Sequence, residues 1–163
     1  MREKTCCFIG HQAFPPNTIY DIQERIGIEI ERLYNQGVTD FVSGGTFGFD
    51  LLAATMIFAK QQLEKFNIRL IFVLPCRDFN SDWSARMKFT YQNLFELADD
   101  TIYVSEKYSP ICVLDRDHYM VDMSAHCVCV QYSDNVYTTH SIKYAKEQGL
   151  NIIDLSETRR KSE

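Results

Sequence analysis

From residue 5 to residue 155, short apolar runs alternate with stretches in which apolar residues return every three or four positions. TCCFIG (5–10), DFVS (40–43), IRLIFVLP (68–75), DTIYVS (100–105), HCVCVQY (126–132) and NIIDL (151–155) read as strands. Ile19, Ile22, Ile26, Ile30 and Leu33 mark a first helix closed by Gly37. Further helices are expected after Gly48, from about Ser84, over Val113–Ser124 and up to Gly149. This alternation leaves few topologies. Strands joined by crossover helices lie parallel, and the helices cover both faces, so the chain is read as a doubly wound α/β sandwich with a mostly parallel central sheet. The uninterrupted run at 68–75 fits a strand buried on both faces.

No repeat, linker or composition break divides the 163 residues, so residues 1–155 form one domain and 156–163 a frayed tail. A formal charge of -5 leaves no basic stripe for phosphates, which argues against broad nucleic-acid binding. A local anion site needs no net positive charge, because backbone amides can supply it. No run is long and apolar enough for a membrane span, and MREKTCCFIG lacks a secretory apolar region, so no membrane partner and a cytoplasmic location are expected. The cysteines at 6, 7, 76, 112, 127 and 129 show no CxxC or zinc-like spacing. Free thiols are expected, with Cys127 and Cys129 on one face of a buried strand; a metal or disulfide role for that pair is the alternative reading.

In a doubly wound sheet ligands bind at the carboxyl ends of the strands, near the point where the strand order reverses. Those ends hold Gly10-His11, Ser43-Gly44-Gly45, Pro75-Cys76-Arg77, Ser105 and Gln131-Tyr132-Ser133. Three of the seven glycines, at 44, 45 and 48, fall in FVSGGTFGFD, between a strand and a helix. That placement suits an anion on helix-terminal amides, with Thr46 in the same loop, although the spacing matches neither GxGxxG nor a P-loop. Asp50 in the first helical turn is read either as a dipole-stabilised cap or as a group for ribose hydroxyls. His11 is a ligand donor, an acid–base group or a loop-stabilising residue. Arg116 either pairs with phosphate or joins Asp117 in a surface ion-pair network. Trp83 either stacks on a base or pins its loop.

TCCFIGH (5–11), FVSGGTFGFD (41–50), the Pro75…Trp83 stretch and RDHYMVDMSA (116–125) together resemble, in order and spacing, the YpsA-like branch of the SLOG superfamily. This Rossmann-like group includes LOG proteins and the DNA-processing protein DprA, and the resemblance covers about residues 4–154. It implies a bacterial, Rossmann-like protein with a pocket for a nucleotide or an ADP-ribose relative. The ligand-binding positions it implies are Gly10, His11, Ser43, Gly44, Gly45, Thr46, Gly48, Asp50, Pro75, Trp83, Arg116, Asp122 and Ser124. The sequence departs from the pattern at Gln12, where an arginine is usual, at Asp117, and over YSDNVYTTHSIKYA (132–145), which lacks a glycine-rich phosphate loop. Thr138, Thr139 and Ser141 offer hydroxyls there instead. The PGGxGTxxE motif of LOG enzymes has no match.

Three functions are therefore carried forward. The favoured one is a nucleotide-ligand sensor or regulator with no cofactor or metal assigned beyond that nucleotide-type ligand. The second is a LOG-like N-glycosidase (a phosphoribohydrolase), with Asp50, His11 or Asp122 as acid–base candidates. The third is a protein-interaction module in cell division or DNA processing; a homodimer or a protein partner is open in any of them.

Overall fold

The structure, a computed structural model, describes residues 2–10, 13–132 and 135–156. After a 3-10 turn at Arg2–Lys4, the strands are β1 (Thr5–Ile9), β2 (Asp40–Ser43), β3 (Arg69–Cys76), β4 (Asp100–Ser105), β5 (His126–Cys129) and β6 (Asn151–Asp154). Between them run α1 (Ile19–Asn35), α2 (Phe49–Gln62), α3 (Ala85–Glu96), α4 (Cys112–Asp122) and α5 (Val136–Glu147). The strands form one sheet in the order β4-β3-β2-β1-β5-β6, and every pairing is parallel. The sheet is thus wholly parallel among the described residues, and its order reverses between β1 and β5.

Alternation along the strands assigns the two faces. Cys6 and Phe8 join Leu70, Phe72 and Leu74 under α1 and α2, with Ile22, Ile26, Ile30 and Leu33 pointing down from α1. Cys7 and Ile9 join Val42, Val73, Cys127 and Cys129 on the other face, under Met120 and Val121 of α4 and Ile142 and Ala145 of α5. This is why the central runs read as continuously apolar: both side-chain sets are covered. Cys127 and Cys129 do share a face, and all six cysteines are free and buried.

Two expectations at element ends are corrected. β5 stops at Cys129 rather than reaching Tyr132, since Val130 makes the last backbone bond to Ile9 and the chain then turns out towards α5. α4 ends at Asp122, two residues before Ser124. The expected tail from 157 onwards lies outside the described residues, while Ser156 bonds back to Asp154 through its backbone amide at 2.9 Å.

Candidate functional site

Three chain segments meet where the strand order reverses. β2 ends in Ser43, whose hydroxyl donates to the carbonyl of Asp50 at 2.7 Å and accepts from the amide of Gly45 at 3.2 Å. One side chain thereby closes the loop from β2 onto the first turn of α2. α4 lies across this loop and inserts Arg116. Its Nη1 donates to the carbonyl of Gly44 at 2.9 Å and reaches Asp50 Oδ2 at 3.4 Å, while Nε donates to Asp117 Oδ1 at 2.8 Å. Thr46 donates its hydroxyl to Asp50 Oδ2 at 2.5 Å, and Ser141 of α5 donates to Asp117 Oδ2 at 2.6 Å.

Arg116, Asp50 and Asp117 are each only about 5% exposed, at 5%, 6% and 5%. The surface ion-pair reading of Arg116 and Asp117 is therefore corrected: the pair is buried, because α4 turns both residues towards the sheet. Two carboxylates share one guanidinium, which leaves one excess negative charge when all are ionised. Burial pushes the Asp50 carboxyl up, against the lowering pull of Arg116 and the Thr46 hydrogen bond. Burial opposes the Arg116 charge too, but Asp117 and Asp50 outweigh it and raise its pKa further. Arg116 stays a cation, and the Asp50 carboxyl holds its proton to a higher pH than an ordinary carboxyl.

The glycines answer to this cluster. A Cβ on Gly44 would sit 2.7 Å from Arg116 Nη1 and 2.8 Å from Asp50 Oδ2. Gly45 has φ +70, and a Cβ there would collide with Leu74. The close approach to the backbone at these two positions is made by the protein's own groups, so packing by itself requires glycine there.

Above the cluster opens a cavity of about 460 Å³. Its polar wall is Thr46, Asp50, Arg116, Asp117 and Thr138; its rim carries Phe47, Tyr108 and Tyr137, with Gly10 at the end of β1. Three helix N-termini, those of α2, α4 and α5, border it and differ. Asn135 caps α5, accepting from the amides of Tyr137 and Thr138 at 3.0 and 3.1 Å. The N-terminus of α2, at Gly48, has no side-chain cap. α2 and α4 are thus the N-termini at this cavity whose first-turn amides have no side-chain acceptor.

Of the positions expected to bind ligand, Gly10, Thr46, Asp50 and Arg116 line this cavity, and Ser43, Gly44 and Gly45 build its floor from behind. Gly48 lines a different, mostly apolar groove of about 640 Å³ with Leu51, Leu52, Phe58, Tyr91 and Leu94. Trp83 lines a third concavity of about 520 Å³ with Phe79, Phe95 and Tyr103. Pro75 is buried within β3. Asp122 and Ser124 are not at the cavity either. They sit six and eight residues beyond Arg116, about 9 Å or more along the helix direction, Asp122 at the opposite end of α4 and Ser124 two residues past it. There Asp122 accepts from the Tyr144 hydroxyl at 2.6 Å and Ser124 donates to the carbonyl of Met120 at 2.7 Å. His11 and Gln12 lie outside the described residues, as does Ser133.

Sequence reading missed Tyr108, Tyr137 and Phe47. Tyr108 stands three residues past the end of β4 and Tyr137 in the first turn of α5. A search carried five residues past each expected strand end would have found Tyr108 and Tyr137, and Phe47 lay inside the glycine-bearing stretch itself.

The YpsA sequence model, that of the YspA SLOG family, matches residues 15–156. A curated protein of Bacillus subtilis (strain 168), the uncharacterized SPbeta prophage-derived protein YoqJ, is 25% identical over 143 residues, spanning 80% of this chain and 83% of its own. Among solved structures, DNA processing protein A (DprA) of Streptococcus pneumoniae superposes with a TM-score of 0.66 at 11% identity, over 96% of this chain and 52% of that one. DprA of Helicobacter pylori, described in its single-stranded DNA binding mode, gives 0.66 at 17% identity over 98% of this chain and 68% of that one. At such identities the likeness is one of fold, and this chain spans about half of the pneumococcal protein.

Proposed function

The chain belongs to the YpsA (YspA) SLOG family, and from that premise we propose that it is a nucleotide-binding protein, a sensor or regulator of the bacterial cytoplasm. Its ligand is a nucleotide or an ADP-ribose or NAD-like derivative, held in the cavity between β1, β2 and β5. The observation that carries this reading is the cavity itself. It lies at the reversal of strand order, where doubly wound sheets bind ligands, and its volume of about 460 Å³ is that of a small-molecule site. The chemistry of the walls divides the ligand. Tyr108 and Tyr137 offer aromatic faces to a base, Asp50 and Thr46 accept ribose hydroxyls, and the two bordering helix N-termini without a side-chain cap, those of α2 and α4, favour a phosphate oxygen. The arginine in the wall is committed to two carboxylates, which favours one or two phosphates at the rim over a buried polyphosphate. No helix among the described residues is long and apolar enough to cross a membrane.

Thermal unfolding against AMP, ADP, ATP, NAD, ADP-ribose and a short oligo-dT tests this. A ligand that binds only the folded chain raises the midpoint, by the equivalent of about 2.7 kcal/mol at a hundred times its Kd. Tyr108 and Tyr137 are 70% and 52% exposed, so Tyr108→Ala and Tyr137→Ala should leave the free protein's midpoint in place and abolish the shift. No shift with any nucleotide sinks the reading. A shift with oligo-dT alone would move it to single-stranded DNA, which the Helicobacter DprA binds.

One observation favours an enzyme as a second reading. Asp50, raised by burial beside a cavity, is a carboxyl able to hold a proton for a leaving base. Release of free base from a stabilising nucleotide, lost in Asp50→Asn, would establish it.

A further inference from the structure

On the outer side of α4 and α5, two imidazoles face each other. His118 Nε2 lies 3.2 Å from His140 Nε2, with the ring centroids 5.3 Å apart and the planes inclined by 30°. His118 is held from behind: its ring stacks on Tyr144 at 4.1 Å, and the Tyr144 hydroxyl is anchored on Asp122. The backbones that carry the pair are fixed as well, because Asp117 and Ser141, each one residue along from a histidine, are bonded at 2.6 Å.

Two nitrogens bound to one tetrahedral zinc at 2.0–2.1 Å stand about 3.3 Å apart. The observed separation matches that edge. We propose that His118 and His140 form a bidentate site for a divalent transition-metal ion of the zinc class, both Nε2 atoms serving as ligands. Each imidazole then carries its proton on Nδ1, the tautomer that frees Nε2. Neutral imidazole is a preferred ligand for zinc, nickel and copper and a poor one for magnesium or calcium, which sets the class of ion.

Among the described residues no group of three or more His, Cys, Asp or Glu is placed to hold an ion, so water fills the remaining positions. The site is open and exchangeable. His140 is exposed and His118 half-buried, which gives an ion direct access, whereas all six cysteines are buried and do not compete in the folded state. A bound ion would join α4 to α5 from outside, opposite the Asp117–Ser141 bond. The site does not depend on the nucleotide reading.

Titration calorimetry of the whole chain with zinc chloride, in a buffer that does not bind metal, tests the proposal. One zinc per chain is expected, weakened about tenfold or more in both His118→Gln and His140→Gln, and unchanged in His126→Gln. Magnesium chloride should give no saturable heat. The unfolding midpoints of the variants without zinc check that each is folded, and for the exposed His140 no loss is expected. Should His118→Gln prove unfolded, His118→Asn takes its place. No saturable zinc binding by the native chain, or binding retained in either variant, overturns the proposal.

Discussion

The Ser141 hydroxyl donates to Asp117 Oδ2 at 2.6 Å and so ties α5 to the buried ion cluster on α4. Both residues are buried, Ser141 at 0% and Asp117 at 5% exposed. Removing the donor leaves a buried carboxylate oxygen short of a protein partner. Ser141→Ala is therefore expected to cost about 2 kcal/mol, in the range for a hydrogen bond to a charged group. Denaturant unfolding should show a lower midpoint with an unchanged slope. A loss below a few tenths of a kcal/mol would mean that Arg116 alone satisfies Asp117.

Two glycines separate steric from conformational need. At Gly44 a Cβ meets Arg116 and Asp50, which are locked together and cannot swing away. At Gly37 the backbone has φ +99 but a Cβ would meet nothing within 4 Å. Gly37→Ala should cost about 1 kcal/mol, from the left-handed conformation. Gly44→Ala should cost about 2–3 kcal/mol through overpacking and should also disturb the Arg116 bonds. Equal losses from the two would contradict the close approach at Gly44.

The burial of Asp50 has a pH signature. Its carboxyl is pushed up from the ordinary value of 3.8. Between that value and its higher folded one, the native state binds more protons than the unfolded chain. Its contribution to stability is thus full below the unfolded pKa and is lost as the pH rises through the folded one. Asp50→Asn removes this titration, and the carboxamide oxygen it introduces can still accept from Thr46 and Arg116. The difference in unfolding free energy between wild type and Asp50→Asn should change across the acidic range in that direction and become flat above it. A difference that runs the other way would show Arg116, not desolvation, to govern Asp50.

What the sequence made legible was what is local or periodic. Ile22, Ile26, Ile30 and Leu33 recur on one helical face and are all buried against the sheet. The alternation of such helices with β-branched runs determines a parallel sheet, and the sheet determines where its strand ends converge. The content of the site was harder to read, because it depends on contacts between distant positions. Arg116 and Gly44 are 72 residues apart, and nothing in either neighbourhood announces the bond between them. Asp122 and Ser124 shared a recognisable stretch with Arg116, but a helix carries residues six and eight positions on to its far end. The glycine loop was legible as a backbone needing room, though not as one whose room is taken by an arginine of its own chain.

Trp83 offers the last test, since it distinguishes the ligand cavity from the rest of the surface. It packs edge-on against Phe79 at 5.7 Å and Tyr91 at 6.1 Å, and lies 6.1 Å from Phe95, joining the loop after β3 to α3. α3 buries only Leu94 fully, so this aromatic cluster is a large part of what holds the helix. Truncating the indole should cost about 3 kcal/mol, the lower end for a large aromatic, because the site is only partly buried. It packs with Phe79, Tyr91 and Phe95 on the face of the sheet covered by α1 and α2, whereas α4 and α5, which wall the cavity, cover the other face. A nucleotide in the β1–β2–β5 cavity would not reach it. Tryptophan emission should therefore follow denaturant unfolding yet stay constant on addition of any nucleotide that raises the midpoint, and Trp83→Ala should bind that nucleotide with unchanged affinity in the folded state. Quenching by the ligand, or loss of binding in the variant, would place the base at Trp83 and count against the tyrosine rim.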